Sequence, residues 1–126
     1  MTDRAFPIIS VSDLAATRRF YERLGFTQTY QFPPDGDPDF VAMERGSSSI
    51  GIGGSGPAGD DRFAYWVYVD DVDAVVETLR GDDVPVVAEP QDQVWGERVA
   101  QVRDPAGNLV YLGAPAREAD SSPAPA

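Results

Sequence analysis

The chain has 126 residues, is 42% hydrophobic, and carries 21 acidic against 10 basic residues, all of them Arg, for a formal net charge of −11. That length supports one shared core, and that charge disfavours nucleic acid as a direct partner, because phosphate binding draws its free energy from concentrated Lys and Arg. His and Cys are both absent, which removes the commonest soft and borderline metal ligands, a thiol nucleophile and any disulfide framework.

Residues 5–11 are apolar and β-branched enough for a strand, with Pro7 suiting an edge or a first pairing position. A helix follows at once. Ser12 or Asp13 can cap it, Leu14, Thr17, Phe20, Tyr21 and Leu24 fall on one face, and Gly25 stands where a left-handed C-terminal cap belongs. Residues 27–32 read as extended, the loop Pro33-Pro34-Asp35-Gly36-Asp37-Pro38 breaks the chain, and 40–45 and 48–52 read as two further strands.

The second half repeats that order. Val11-Ser12-Asp13-Leu14 opens the first helix, and Val69-Asp70-Asp71-Val72 opens another 58 residues later. Phe63 to Val69 is a strand, and Asp70 or Asp71 caps a helix with the apolar stripe Val72, Val75, Val76 and Leu79, closed by Gly81. Residues 84–88, 97–103 and 109–113 complete the set, with a turn over Asp104-Pro105-Ala106-Gly107-Asn108. The expectation is an α+β fold of two βαβββ modules, 5–53 and 63–113, within one domain spanning 1–113. Residues 54–62 form a glycine-rich linker and 114–126 a disordered tail of Ala, Pro, Ser and charge. The glycines of that linker precede a strand and no Lys ends them, so neither a Walker loop nor a dinucleotide loop fits.

No apolar run approaches the length of a bilayer span, and no basic-then-apolar segment opens the chain, so a soluble cytoplasmic protein with no membrane partner is expected. The acidic balance attracts a cationic ligand; its plainer alternative is solubility.

These residues, in this order, resemble the vicinal oxygen chelate superfamily of glyoxalases, extradiol dioxygenases and bleomycin-resistance proteins. The resemblance rests on the strand leading into Val-Ser-Asp-Leu, on Phe20-Tyr21 with Leu24-Gly25-Phe26, and on Val69-Asp70-Asp71-Val72-Asp73-Ala74. It ends with Trp95-Gly96 leading into Asp104-Pro105-Ala106-Gly107-Asn108-Leu109-Val110. It implies two modules, each a cupped half-barrel, facing one another around a groove, and a homodimer whose groove borrows from the partner chain. Enzymatic members hold a divalent metal on His or Glu at places that correspond here to Phe6, Ala64, Gly51 or Ile50, and Tyr111. Three of those places offer no ligating side chain, and a neutral phenol is a poor ligand, so no metal and no other cofactor are expected. The acidic loop Asp35, Asp37 and Asp39 reads as solvated turn formers rather than a carboxylate-only metal site.

By strand alternation Phe6 and Ile8 share a face, as do Ala64, Trp66 and Tyr68; Tyr111 joins them, making an aromatic trough. Core packing is the alternative for any one of these residues taken alone. Trp95-Gly96 resembles the Trp-Gly pair that lies beside the drug's planar rings in bleomycin-resistance members, and packing of Trp95 on its own hairpin is the alternative. Phe32 and Phe40 flank the Pro-rich loop and are placed to close over a ligand. The expected ligand-binding set is Phe6, Phe32, Phe40, Trp66, Tyr68, Trp95, Gly96, Glu97 and Tyr111. Glu89, Asp92 and Glu97 are the carboxylates for a positive group. The function expected is sequestration, without catalytic residues, of a planar or cationic toxic compound such as a bleomycin, an enediyne or a mitomycin. The alternative is a metal-independent isomerase, epimerase or lyase with Glu97 as base, Tyr111 as donor and Arg98 holding an anionic group.

Overall fold

The structure is a computed structural model that describes residues 4–54 and 62–116. The elements run β1 (Ala5–Ser10), α1 (Leu14–Arg23), β2 (Thr27–Phe32), β3 (Phe40–Arg45), β4 (Ser48–Gly53), β5 (Phe63–Tyr68), α2 (Val72–Gly81), β6 (Val86–Asp92), β7 (Glu97–Arg103) and β8 (Leu109–Pro115). This is α+β, with βαβββ stated twice. No described helix is long and apolar enough to cross a membrane.

The duplication extends to single hydrogen bonds. Asp13 accepts the Ala16 N–H at 3.0 Å and Asp71 accepts the Ala74 N–H at 3.1 Å, so each helix starts on an aspartate that meets an otherwise unpaired first-turn donor. Just upstream, the Val11 N–H donates to Gly53 O and the Val69 N–H to Gly113 O, at 2.8 and 2.9 Å. Gly25, with φ +97°, ends α1 as its sequence position requires.

Among the described residues two compact units result, one from residue 6 to residue 65 and the other from residue 66 to residue 116 with residues 4 and 5. In the N-terminal unit the strand order is β2-β3-β4-β1, with β1 parallel to β4 and the other pairs antiparallel. Its core is Val41, Met43 and Ile52, with Ile9, Val11, Leu14, Tyr21, Phe26 and Ile50 packed around them. In the C-terminal unit the order is β5-β8-β7-β6. There Val72 and Val76 of α2 are buried against Ala100, Val102, Leu112 and Ala114, each valine contributing about 1.5–3 kcal/mol by leaving water.

The structure corrects several expectations. The strand expected over 84–88 is β6, which begins at Val86 and runs on through Asp92; Pro90 is tolerated because β6 is an edge strand and its pairing with β7 is irregular between Ala88 and Gln91. Strand β8 runs two residues further, through Pro115. On α1, Leu14 and Tyr21 pack on the core, whereas Phe20 and Leu24 are 51% exposed. Phe20 lies about 100° round the helix from Tyr21, and Leu24 follows the last helical turn. The left-handed residue after α2 is Asp83 (φ 64°) rather than Gly81, which remains helical; aspartate is among the few residues that enter this region readily. Most of the expected linker, residues 55–61, and the tail from residue 117 lie outside the described residues.

Candidate functional site

The C-terminal unit links five of the expected residues to Glu97 through ring contacts, two hydrogen bonds and one turn. Alternation along β5 puts Ala64 (3% exposed) and Trp66 (7%) on one face and Phe63 and Tyr65 on the other, exposed. Trp66 is thus buried, a floor rather than an open wall. It fits because β8 carries Gly113 beneath it: a Cβ built there would lie 2.7 Å from Trp66 Cζ2. The Tyr111 ring stacks on Trp66, with centroids 5.3 Å apart at 15°, and the Tyr68 ring meets it at 5.8 Å and 60°. Both arrangements are favoured between ring quadrupoles.

The β6–β7 turn brings the other two. The Gln93 N–H donates to Glu97 O at 2.6 Å, the Gly96 N–H to Gln93 O at 3.0 Å, and Gly96 takes φ +98°, open to glycine without strain. The Ala116 N–H donates to Gly96 O at 3.0 Å and so ties the turn to the end of β8. Glu97, half-buried at the start of β7, then receives two aromatic donors. The Tyr68 hydroxyl donates to Oε2 and the Trp95 indole N–H to Oε1, both at 2.6 Å. Trp95 is thereby tethered to its own hairpin while remaining 42% exposed. Burial, then the hydrogen bond to Glu97 and its charge, hold the Tyr68 phenol well above its ordinary value of 10.0; Arg4 and the Trp66 side chain oppose this more weakly.

The remaining charged candidates are committed elsewhere. Arg98 holds Asp73 of α2 through both carboxylate oxygens, at 2.7 and 3.0 Å, and Asp92 at 3.1 Å. These bonds keep its guanidinium above the usual arginine range. The expectation that Arg98 would hold an anionic group is therefore corrected: two aspartates already neutralise it. Glu89 is likewise taken by Arg80, at 2.7 and 3.2 Å. A depression of about 130 Å³ lined by Asp70, Asp71, Val72, Asp73, Arg98, Ala114 and Pro115 lies beside this pairing.

In the N-terminal unit Phe40 repeats the glycine device. A Cβ on Gly51 of β4 would fall 2.8 Å from Phe40 Cζ, and the Tyr30 ring meets Phe40 edge-on at 6.2 Å. Phe32 pairs with Phe40 across β2 and β3, and Phe6 is half-buried on β1. The side chains at the four corresponding metal positions do not fit a divalent ion: Gly51 lies under a ring, Ala64 is buried and apolar, Phe6 is apolar, and Tyr111 is stacked on Trp66. Among the described residues no group of three or more Asp or Glu is placed to hold a metal.

The sequence reading missed the two glycine seats and the double clamp on Glu97. A glycine inside an apolar strand, as in Leu112-Gly113-Ala114, is the signal that marked the first. The second has no local sequence signature, since Tyr68 and Glu97 are distant in the chain.

Comparison with known proteins agrees with this architecture. Residues 5–112 match the family model described as the Glyoxalase/Bleomycin resistance protein/Dioxygenase superfamily. A "Bleomycin resistance protein" of Klebsiella pneumoniae is 30% identical over 125 residues, 89% of this chain and 92% of that protein. Among solved structures, a glyoxalase/bleomycin resistance protein/dioxygenase superfamily member from Vibrio splendidus 12B01 superposes with a TM-score of 0.66 at 18% identity, covering 90% of this chain and 98% of its own. A protein from Staphylococcus aureus does so with 0.67 at 13%, covering 92% and 100%. The chain belongs to the glyoxalase/bleomycin resistance protein/dioxygenase superfamily.

Proposed function

We propose that this protein is a metal-independent binding protein that sequesters a planar, positively charged toxic compound of the bleomycin type. The observation that carries this reading is the carboxylate of Glu97, held by Tyr68 and Trp95, with Tyr68 continuing into the ring stack of Trp66 and Tyr111. Flat rings offer stacking surface, and a negative group among them favours a cation. The formal net charge of −11 raises the local concentration of such ligands before contact. The relationship to a protein named for bleomycin resistance supports the same class of ligand. Sequestration requires affinity and copy number and no chemical step. We take the protein to be cytoplasmic and homodimeric.

The enzymatic alternative loses its anion-holding group, because Arg98 is bound to Asp73 and Asp92. Titration with bleomycin, followed by Trp fluorescence, tests the proposal, with mass spectrometry of the recovered ligand and elemental analysis of the protein. Saturable quenching, unchanged ligand and no stoichiometric metal are expected. A modified product, or a metal held at one equivalent, would overturn it.

A further inference from the structure

We propose that Glu97 is the residue through which this protein reads positive charge: its carboxylate is a seat for one alkylammonium group borne by a planar aromatic molecule. The inference rests on the binding reading above and adds the chemical group recognised and the residue that meets it.

Elimination singles out Glu97. Sequence alone offered three carboxylates near Trp95. Glu89 is occupied by Arg80 through both oxygens, and Asp92 is bound to Arg98. Asp73, nearby on α2, is also occupied by Arg98. Glu97 is different in kind: its hydrogen bonds come from a phenol and an indole, both neutral. Neutral donors orient the carboxylate without pairing its charge. That charge is half-withdrawn from water between the Tyr68 and Trp95 side chains, where a compensating cation gains more than in open solvent.

The donors also shape the seat. One acceptor site on each oxygen is taken, and one on each remains. A compact ammonium needs only one oxygen, and either remaining site supplies it alongside the Tyr68 and Trp95 rings.

The test uses the full chain, uniformly labelled with 15N, and its Glu97→Gln variant. Gln keeps the shape and both hydrogen bonds, since its oxygen accepts from Trp95 and its amide donates to the Tyr68 hydroxyl once that group rotates. The probes are 1-naphthylmethylammonium and its neutral N-acetyl counterpart. Binding is read from the indole N–H signals of Trp66 and Trp95, the two tryptophans of the chain. Wild type is expected to prefer the ammonium, and E97Q to bind it about tenfold or more weakly while binding the acetylated probe as wild type does. Equal affinity of wild type and E97Q for the ammonium, or no preference in wild type, overturns the proposal.

A parallel bleomycin titration separates the two readings. Equal bleomycin binding by wild type and E97Q would remove Glu97 and leave sequestration standing. Glu97-dependent ammonium binding without bleomycin binding would leave the seat and remove the bleomycin-type ligand.

Discussion

Trp66 of β5 lies flat against Gly113 of β8, close enough that a single methyl group on that glycine would stand 2.7 Å from Cζ2 and 3.0 Å from Nε1. Real Cβ atoms do not approach so closely, so the indole must move if Gly113 acquires a side chain. Gly113→Ala is expected to destabilise the fold by about 1–3 kcal/mol, the range of core overpacking, and to shift Trp66 emission as the ring is displaced from Tyr111. Gly51→Ala, under Phe40, is expected to act similarly on the N-terminal unit. Urea unfolding followed by Trp fluorescence and circular dichroism measures both; an unchanged midpoint in either variant would refute the corresponding contact.

Trp95 is the most exposed member of the cluster and is expected to contribute to affinity more than to stability. Trp95→Ala should weaken bleomycin binding by at least about 1 kcal/mol, the scale of an aromatic contact. Val94→Ser, next to it and 88% exposed, should leave affinity within about 0.5 kcal/mol of wild type. Isothermal titration distinguishes them, and wild-type affinity in the Trp95 variant would take that ring out of the site.

The Tyr68–Glu97 bond predicts an alkaline signature. A phenol whose proton is held more tightly in the folded than in the unfolded chain stabilises the fold fully below its ordinary value of 10.0. Above that pH the unfolded chain loses the proton first, so stability falls as pH rises. Tyr68→Phe removes this dependence and should show a shallower loss of denaturation midpoint between about pH 10 and 11. Absorbance titration of wild type should find one of its five tyrosines ionising last, and that delayed phase should vanish in the variant.

Asp104 predicts the opposite signature in acid. Its carboxylate accepts the Ala106 and Asn108 backbone N–H groups at 2.9 Å and the Asn108 side-chain amide at 3.1 Å. The Asn108 bonds lead in holding its carboxyl below the ordinary aspartate value of 3.8. The stability this supplies is present above that value and lost as pH falls through the folded-state value. Asp104→Asn should lower the thermal midpoint at neutral pH and narrow its gap from wild type as the pH approaches 2 to 3. A gap independent of pH would assign the effect to the turn's shape instead of its charge.

Much of this was legible in the residues themselves. Periodicity, the aspartate caps and the repeat from Val11 to Val69 located both helices and the order of all eight strands, because each signal is local. Trp66 and Tyr68 share a face of β5 by strand alternation alone, and their rings meet, with Tyr111 of β8 stacked on Trp66. What stayed hidden depends on partners far apart in sequence. Arg98 reads as a free cation until α2 delivers Asp73 to it, and Glu89 as a free anion until Arg80 arrives. Likewise Pro90 reads as a breaker until β6 is seen to occupy an edge, where a missing N–H costs no ladder bond. Tertiary pairing decides each of these, and no window of neighbouring residues contains it.

The tether from the Trp95 indole to Glu97 has a kinetic meaning as well. A large exposed ring ordinarily samples several rotamers, and a guest must halt that motion when it docks. Here the hydrogen bond to Glu97 already restrains it, so a docking guest would forfeit less disorder, and complexes should be distinguished mainly by how slowly they come apart.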